Sequence, residues 1–429
     1  MTLPTIKVEI DFSTGPSFGY PFILDSNSFG ILDTNVLADG PLDLVDITPQ
    51  VRRVSTRRGR NRILSNFEAG TATVVLNDPN SDFNPQNPSS PYFGKLFPLR
   101  KIRIYAETEV AGLPIQVTIF SGYINSFDTS FYQGTTADAT VVLECVDAFR
   151  LFSNVSTEIP PIPGAVSGQL SGARVETLLN FGDFPDSMIN ANVGQSEMQA
   201  DPGGNRSILQ AIQTIEQSEF GGFFMGRNGQ AQFLDRDQIS KLADIISGNF
   251  SDVNPLPPGT FPYSQVDFAY DDQQILNDVS VQALGGAVFK NVSSPETDLS
   301  VERYGYKSAT RNDLLMLDTT EAQDQANMLV ATRREADISI DSMKLNMNSA
   351  INENNVLLQL AMDIYFTINI TKTMPGGSTI AKEVFVQGVS HDVSPGQWNT
   401  TVYTAEPIIQ AFILNSNTQG LLDTNALSY

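Results

Sequence analysis

The chain has 429 residues, of which 41% are hydrophobic and 17% are charged, so we predict a globular protein of roughly three domains. Its formal net charge of −22 disfavours tight binding to nucleic acid, because affinity for phosphates comes mainly from lysine and arginine. A single cysteine, Cys145, excludes an internal disulfide and a cysteine-based metal site.

The amino-terminal part is predicted to consist of strands. Segments that alternate apolar and polar residues, or that are rich in β-branched residues, cover residues 5–12, 70–77, 101–106, 115–127 and 139–146. Loops rich in proline and glycine separate them, which is typical of a sandwich or a barrel. Cys145 falls in the last segment and is expected to be a buried strand residue.

A different periodicity follows a proline- and glycine-rich linker at residues 158–172. Val175, Leu178 and Leu179 indicate a short helix. A second helix is predicted to begin at Ser207, where Gln210 completes a capping-box pattern. Asn-Gly between two apolar runs, at residues 228–229, then predicts a hairpin. These features indicate a small α+β module.

Strands return after a second predicted linker at residues 249–262. A helix is expected over residues 319–334, capped by Asp318 with Glu321. Its buried face is predicted to contain Ala322, Ala326, Leu329 and Val330. Strand-like runs cover residues 336–346, 361–371, 383–389 and 399–406.

The two outer β regions show a weak repeat. The segment FSGYINSFDTS from Phe120, followed by a strand, is similar to FVQGVSHDVSPGQW from Phe385, followed by a strand. The predicted fold is therefore mainly β with an α+β insert: two duplicated β-barrel or sandwich domains with a small α+β module between them. The predicted boundaries are 1–159, 160–260 and 261–410, and residues 411–429 form a carboxy-terminal arm.

A stronger repeat links the two ends of the chain. PFILDSNSFGILDTNVL at residues 21–37 aligns without a gap to AFILNSNTQGLLDTNAL at residues 411–427. The two copies are either arms that lie on a neighbouring protein or a pair of similar turns. In the first case the interface residues are Phe22, Ile23, Leu24, Gly30 and Leu32, and their counterparts Phe412, Ile413, Leu414, Gly420 and Leu422.

A cluster of arginines is unusual in so acidic a chain. It comprises Arg52, Arg53, Arg57, Arg58, Arg60 and Arg62. The cluster is consistent with a solvated strand-and-loop face, with pairing to the carboxylates of a neighbouring subunit, or with contact to DNA. We retain the second possibility as a candidate interface.

Catalysis and cofactor binding find little support. His391 is the only histidine, and it is expected to be a turn residue. Nucleotide-binding, zinc-protease and serine-hydrolase motifs do not occur. Asp78, Asn80 and Asp82 match the first ligand positions of a calcium loop, but Phe83 replaces the required glycine, so turn hydrogen bonds are the favoured explanation. We therefore expect no enzyme, no cofactor and no metal.

The first residues, MTLPTIKVEI, lack the pattern of a signal peptide, and no apolar run of about 18 residues could span a bilayer. We expect the chain to be made and folded in a cytoplasm.

The run RRGRNRILSNFEAGTATVVLNDPNSDFNPQNPSSPYFGKLFPLRKIRIYA resembles the amino-terminal tube domain of minor tail proteins, or baseplate hub proteins, of long-tailed bacteriophages. The segment VDAFRLF from Val146, the capped helix at Ser207 and ERYGYKS from Glu302 are similar to later parts of these proteins. The resemblance covers most of the chain, and its motifs are structural.

This resemblance implies a structural hub of the tail tip in the virion. Three chains would form a ring with two tube domains each, so that six similar domains surround a DNA channel. The implied partners are a distal tail or tube ring, a tip or fibre protein and the carboxy terminus of the tape measure, while DNA passes without tight binding. The alternatives are a receptor- or glycan-binding tail protein and a cell-wall-degrading tail enzyme.

Overall fold

The computed structural model describes residues 3–13, 24, 44–61, 65–130, 139–157, 161–270, 272–292 and 299–406. Most of its strands belong to one large, mainly antiparallel sheet, and smaller α+β units accompany it. The predicted class, mainly β with a few helices, is confirmed.

The first β half contains seven strands and ends in a short helix. Its elements are β1 (Thr5–Asp11), β2 (Leu44–Asp46), β3 (Val51–Gly59), β4 (Glu68–Asn77), β5 (Lys101–Val110), β6 (Leu113–Ser130), β7 (Thr140–Val146) and α1 (Phe149–Asn154). Side chains of alternate residues point inward: Ala72, Val74 and Leu76 of β4 are buried, as expected for a strand with one covered face. Cys145 is buried in β7, as predicted.

A central α+β unit follows. Its elements are β8 (Ser156–Thr157), β9 (Gln169–Leu170), α2 (Ser171–Phe181), β10 (Ile189–Ala191), β11 (Glu197–Met198), β12 (Arg206–Ser207), α3 (Ile208–Glu219), β13 (Gly222–Met225), β14 (Ala231–Leu234) and α4 (Arg236–Ala243). Ser207 and Gln210 form the predicted capping box of α3. The predicted hairpin joins β13 to β14, and Gly229 at its turn has a positive φ of 84°, which glycine adopts without strain.

The second β half surrounds an inserted unit. The half consists of β15 (Ile246–Ser251), β16 (Thr260–Phe261), β17 (Gln265–Ala269), β21 (Ser339–Asn346), α7 (Glu353–Ala361), β22 (Thr367–Thr373), β23 (Thr379–Ser394) and β24 (Gln397–Ala405). The inserted unit consists of β18 (Asp278–Ala283), β19 (Val288–Val292), α5 (Ser300–Tyr304), β20 (Ser308–Leu314) and α6 (Thr320–Arg333). Short 3-10 helices lie at Thr48–Gln50, Asp186–Met188 and Met347–Ser349.

The two β halves have the same strand order. Across the sheet, the first half runs β3-β4-β7-β6-β5-β1-β2 and the second runs β17-β21-β24-β23-β22-β15-β16. When each set is numbered along the chain, both orders are 3-4-7-6-5-1-2. One difference is that β1 runs antiparallel to β5, whereas β15 runs parallel to β22. The two β halves therefore repeat one topology.

Several expectations about local structure were wrong. The second linker overlaps β15 and β16, whose short, polar stretches give little alternation. The strand predicted over residues 361–371 begins only at Thr367, after α7. Asp318 accepts a hydrogen bond from the Thr320 N–H at 2.8 Å, but the N-cap residue of α6 is Thr319, which forms no side-chain cap. Glu321 accepts a hydrogen bond from the Ser196 hydroxyl at 2.6 Å and not from the cap.

Helix α7 connects the cores of the two halves. Its Asn352 cap accepts a hydrogen bond from the Asn355 N–H at 2.9 Å. Val356 and Leu360, on one helix face, join the core of the first β half, and so does Trp398 from β24. Packing of the second half into the core of the first makes the two halves structurally interdependent.

Candidate subunit interface

The two β halves meet where β3 pairs with β23. The pairing is antiparallel and runs from Gly59 opposite Gly388 to Val54 opposite Val393. Arg60 extends it by donating its backbone N–H to the Gln387 carbonyl at 2.9 Å. We call this contact the β3–β23 junction, and it makes one continuous sheet of the two halves.

A glycine is required on β3 at this junction. Gly59 has a φ of +99°, and a Cβ atom there would lie 2.2 Å from the Gln387 carbonyl oxygen. Both the backbone conformation and the close approach of β23 therefore exclude a side chain.

Two members of the arginine cluster are buried at the junction. Arg58 is 7% exposed and donates to Asp363 at 2.9 Å. Arg60 is 6% exposed and donates hydrogen bonds to the Gln387 side chain at 2.8 Å and to the Tyr365 hydroxyl at 3.2 Å. Its guanidinium carbon also lies 4.2 Å from the centre of the Phe67 ring. Both guanidinium groups thus bind residues of the same chain and fasten the second β half to the first.

Of the other arginines of the cluster that the structure describes, Arg52 and Arg53 are exposed and Arg57 is half-buried. Arg53 forms an ion pair with Asp392, and Arg57 contacts Asn61 and Glu68. Arg52 donates to Asn77 at 2.6 Å. Their prediction as subunit contacts stays a prediction, and Arg62 lies outside the described residues.

A buried ionic cluster lies beneath the junction. Burial raises the pKa of Glu216, on α3, to about 7, although the positive charge of Arg60 acts in the opposite direction. Burial also lowers the pKa of Arg311 to about 10 and raises that of Tyr365 to about 12. Glu216 and Tyr365 are buried and Arg311 is half-buried, and the three groups belong to the central unit, the junction and the inserted unit.

Positions on either side of the junction repeat the same backbone geometry. Leu99 and Tyr365 have positive φ angles of 65° and 64°. Leu99 donates its N–H to the Ile124 carbonyl at 2.6 Å, and Tyr365 donates to the Val386 carbonyl at 2.7 Å. A β-bulge follows each acceptor, between Ile124 and Ser126 and between Val386 and Gly388. Ile124 and Val386 are therefore equivalent residues of the two halves.

His391 does not lie in a turn as predicted. It lies within β23, because the hairpin turn comes later, at Gly396 with its positive φ of 76°. The residue is buried, with 4% of its surface exposed. Its Nδ1 lies 3.0 Å from the Thr400 hydroxyl and accepts from the Trp398 ring N–H at 3.3 Å. Burial lowers the pKa of His391 to about 3, so the ring is neutral and engaged in the core.

The acidic loop after β4 is held by its own hydrogen bonds. The buried Asp78 carboxylate accepts from the backbone N–H groups of Asp82 at 2.7 Å and Phe83 at 3.0 Å. This agrees with turn chemistry. In the part of the chain that the structure describes, no group of three or more His, Cys, Asp or Glu residues could hold a metal ion.

A surface cleft of about 500 Å³ lies between β6, the β13–β14 hairpin and the segment before β22. Its charged residues, Arg227 and Asp363, lie 3.8 Å apart, and Asp363 also binds Arg58. The carboxylate is therefore engaged by two guanidinium groups of the same chain.

The repeated arms fall on residues 21–37 and 411–427, which lie outside the described residues except for Leu24. Leu24 is 77% exposed. The prediction that the two arms are contact segments stays a prediction. No helix within the described ranges is long and apolar enough to cross a membrane.

Comparison with solved structures shows what this fold is similar to. One match is a tail protein from Neisseria meningitidis MC58, with a TM-score of 0.54, 11% identity and coverage of 94% of this chain and 97% of that chain. Another is the 43 kDa tail protein of prophage MuSo2 from Shewanella oneidensis, with a TM-score of 0.52, 8% identity and coverage of 85% and 96%. No protein-family model and no curated protein matches the sequence. The chain has the fold of these tail proteins, as the resemblance implies.

Proposed function

We propose that the protein is a structural hub of a bacteriophage tail tip. In this proposal three chains form a ring with pseudo-six-fold symmetry, which joins the tail tube to the tip and forms part of the DNA channel. The observation that carries the proposal is the repeated strand order of the two β halves. A chain with two similar halves can place six similar units in a ring of three, and so match a six-fold tube to a three-fold tip.

The charge of the chain supports a conduit. With a net charge of −22 the surface repels phosphates, so DNA passes without being held. The fold of the two solved tail proteins supports a place in the tail of the virion.

The remaining candidate residues are assigned to contacts with other proteins. The two arms would bind a distal tail or tube ring, a tip or fibre protein, or the end of the tape measure. Arg52, Arg53, Arg57 and Arg62 would pair with carboxylates of a neighbouring subunit, since guanidinium groups bind carboxylates through two hydrogen bonds.

Electron microscopy of the assembled protein tests the proposal directly. We expect rings of three chains that display six similar densities around a central channel. Rings of six chains, or assemblies without a channel, would contradict it.

A further inference from the structure

Among the described residues the large sheet has open strand edges at β2 and β16, which end it, and at two further places. β17 pairs with β21 along one edge only. β6 pairs with β5 only as far as Tyr123, so residues 126–130 pair with β7 alone in the described part of the chain. Open edges of this kind present backbone donors and acceptors to which another strand can add.

Each of these two further edges has a counterpart in the other half that is paired. In each half, one row of four paired residues crosses four neighbouring strands, and the two rows identify which strands correspond. In order across the sheet they are Phe127, Leu143, Val74 and Val54 in the first, and Val389, Val402, Met343 and Val266 in the second. β17 is therefore the counterpart of β3, and the distal part of β6 is the counterpart of the distal part of β23.

Within the chain these counterparts, β3 and β23, are hydrogen-bonded to each other. We propose that β17 of one chain pairs in the same way with residues 127–130 of β6 in a second copy of the chain. Transfer of the β3–β23 register places Asp267 opposite Ser130, Phe268 opposite Thr129, Ala269 opposite Asp128 and Tyr270 opposite Phe127.

The exposure of side chains on β17 supports the pairing of this edge with a strand of a second copy. On β3, Val54, Thr56 and Arg58 are 1%, 3% and 7% exposed. Their counterparts on β17 are less covered, since Val266 and Phe268 are half-buried and Tyr270 is 69% exposed. A strand added at this edge would cover them as β23 covers β3, and would place the Tyr270 ring beside Phe127. Cross-strand aromatic pairs of this kind stabilise antiparallel sheets.

The contact is directional and can close. Each chain offers one β17 edge and one distal β6 edge, so every copy binds a neighbour on either side, and such a head-to-tail contact forms a ring when the rotation closes. The β3–β23 junction and the new contact then alternate around the ring. The inference deepens the proposed function and rests on it only for the number of chains.

Cysteine pairs test the register. Since Arg60 N–H bonds to the Gln387 carbonyl, alternation makes Arg57 and Ser390 a pair without mutual hydrogen bonds. Their counterparts are Ala269 and Asp128, and such close pairs suit a disulfide. The variant Ala269→Cys with Asp128→Cys should form intermolecular disulfides on mild oxidation, seen as linked oligomers on non-reducing gels. Native Cys145 is buried and should not compete.

The matched control is Ala269→Cys with Thr129→Cys, because adjacent strand residues point to opposite faces. Linkage no faster than in this control overturns the proposed pairing. Sedimentation of the unmodified protein separates the two proposals. If the protein is an oligomer but the cysteine pair does not link specifically, the proposed β17–β6 pairing is wrong and the proposed ring is still possible. If the protein is a monomer and does not link, both proposals are wrong.

A backbone test complements the disulfide. In the transferred register the Tyr270 N–H donates to the Phe127 carbonyl of the second copy, so Tyr270→Pro removes one donor from the proposed interface. Tyr270 is not among the residues of β17 that pair with β21, so that pairing keeps all of its residues. Tyr270→Ala removes the ring alone. The proline variant should associate about tenfold more weakly than the alanine variant, as loss of one hydrogen bond implies. Equal association of the two variants would overturn the pairing.

Discussion

Arg53 and Asp392 form a two-point ion pair across the β3–β23 junction. The Arg53 Nε donates to one carboxylate oxygen at 3.0 Å and Nη2 donates to the other at 2.5 Å. Both side chains are about half exposed, at 57% and 45%. Solvent therefore screens this pair, and the buried contacts of the same junction are expected to decide its stability.

Arg58→Met should destabilise the fold strongly. The substitution removes a buried guanidinium that binds Asp363 at 2.9 Å, and breaking a buried pair typically costs about 3–5 kcal/mol. The free energy of unfolding, measured by urea titration, checks this. Arg53→Met is the matched control on the same strand and should leave the unfolding midpoint nearly unchanged. Similar losses in both variants would mean that the junction does not depend on the buried pair.

Gly59→Ala should disrupt the junction. The added Cβ atom would lie 2.2 Å from the Gln387 carbonyl oxygen, so the two strands must separate, and we expect a loss of more than about 3 kcal/mol. Gly112 is the control, because it has a φ of +76° with nothing within 4 Å of its added Cβ. Gly112→Ala reports the backbone strain alone, about 1 kcal/mol. If the two alanine variants unfold alike, the close approach at Gly59 is unimportant.

Local chemistry explains which elements could be predicted from the sequence. Alternation in β4 and the capping box at Ser207 act within a few residues, so both are visible in the sequence and present in the structure. Helix α7 was missed because its buried face includes Asn355 and Gln359, which are polar yet 0% and 1% exposed. Tertiary packing, not local periodicity, decides their burial.

The candidate site shows the same division. The arginine cluster was visible as a composition anomaly, but the sequence could not separate exposed Arg53 from buried Arg60. That distinction depends on β23, which lies more than three hundred residues away along the chain, as the separation of 327 between Arg60 and Gln387 illustrates. The open edges of β17 and β6 could not be predicted from the sequence either, because whether a strand edge is open depends on which other strands pair with it in the folded sheet.

The stability of the protein should fall as the pH rises through the weakly acidic range. The pKa of Glu216 is raised by burial from 4.5 to about 7. Between these values the folded chain holds a proton that the unfolded chain has released, so the free energy of unfolding decreases with increasing pH. Glu216→Gln removes this contribution, and its thermal midpoint should vary less between about pH 5 and pH 7.

The exposed Glu176 on α2 provides the control, since Glu176→Gln should follow the pH profile of the unmodified protein. Some dependence should persist in Glu216→Gln, because burial also raises the pKa of Asp147 to about 7. A Glu216→Gln profile as steep as that of the unmodified protein would show that Glu216 is ionised in the folded chain throughout this range.

Duplex DNA should bind weakly and without sequence preference. A charge of −22 opposes the release of counterions that supplies most non-specific affinity. Fluorescence anisotropy with a labelled duplex at physiological salt measures this affinity, and a basic DNA-binding protein serves as the positive control. Submicromolar binding would contradict a channel wall that lets DNA pass.

Removal of residues 412–429 should separate folding from attachment. β24 ends at Ala405, and Glu406 still contacts Arg333 and Lys382, so the deletion leaves every described contact in place. The thermal midpoint should therefore stay unchanged, while incorporation into tails should fall because one copy of the repeated arm is lost. Deletion of Ser428 and Tyr429 alone is the matched control, since both lie beyond the repeat. Two results would reduce the repeat to a pair of similar turns: normal incorporation of the longer deletion, or different backbone shapes of the two copies in an assembled tail.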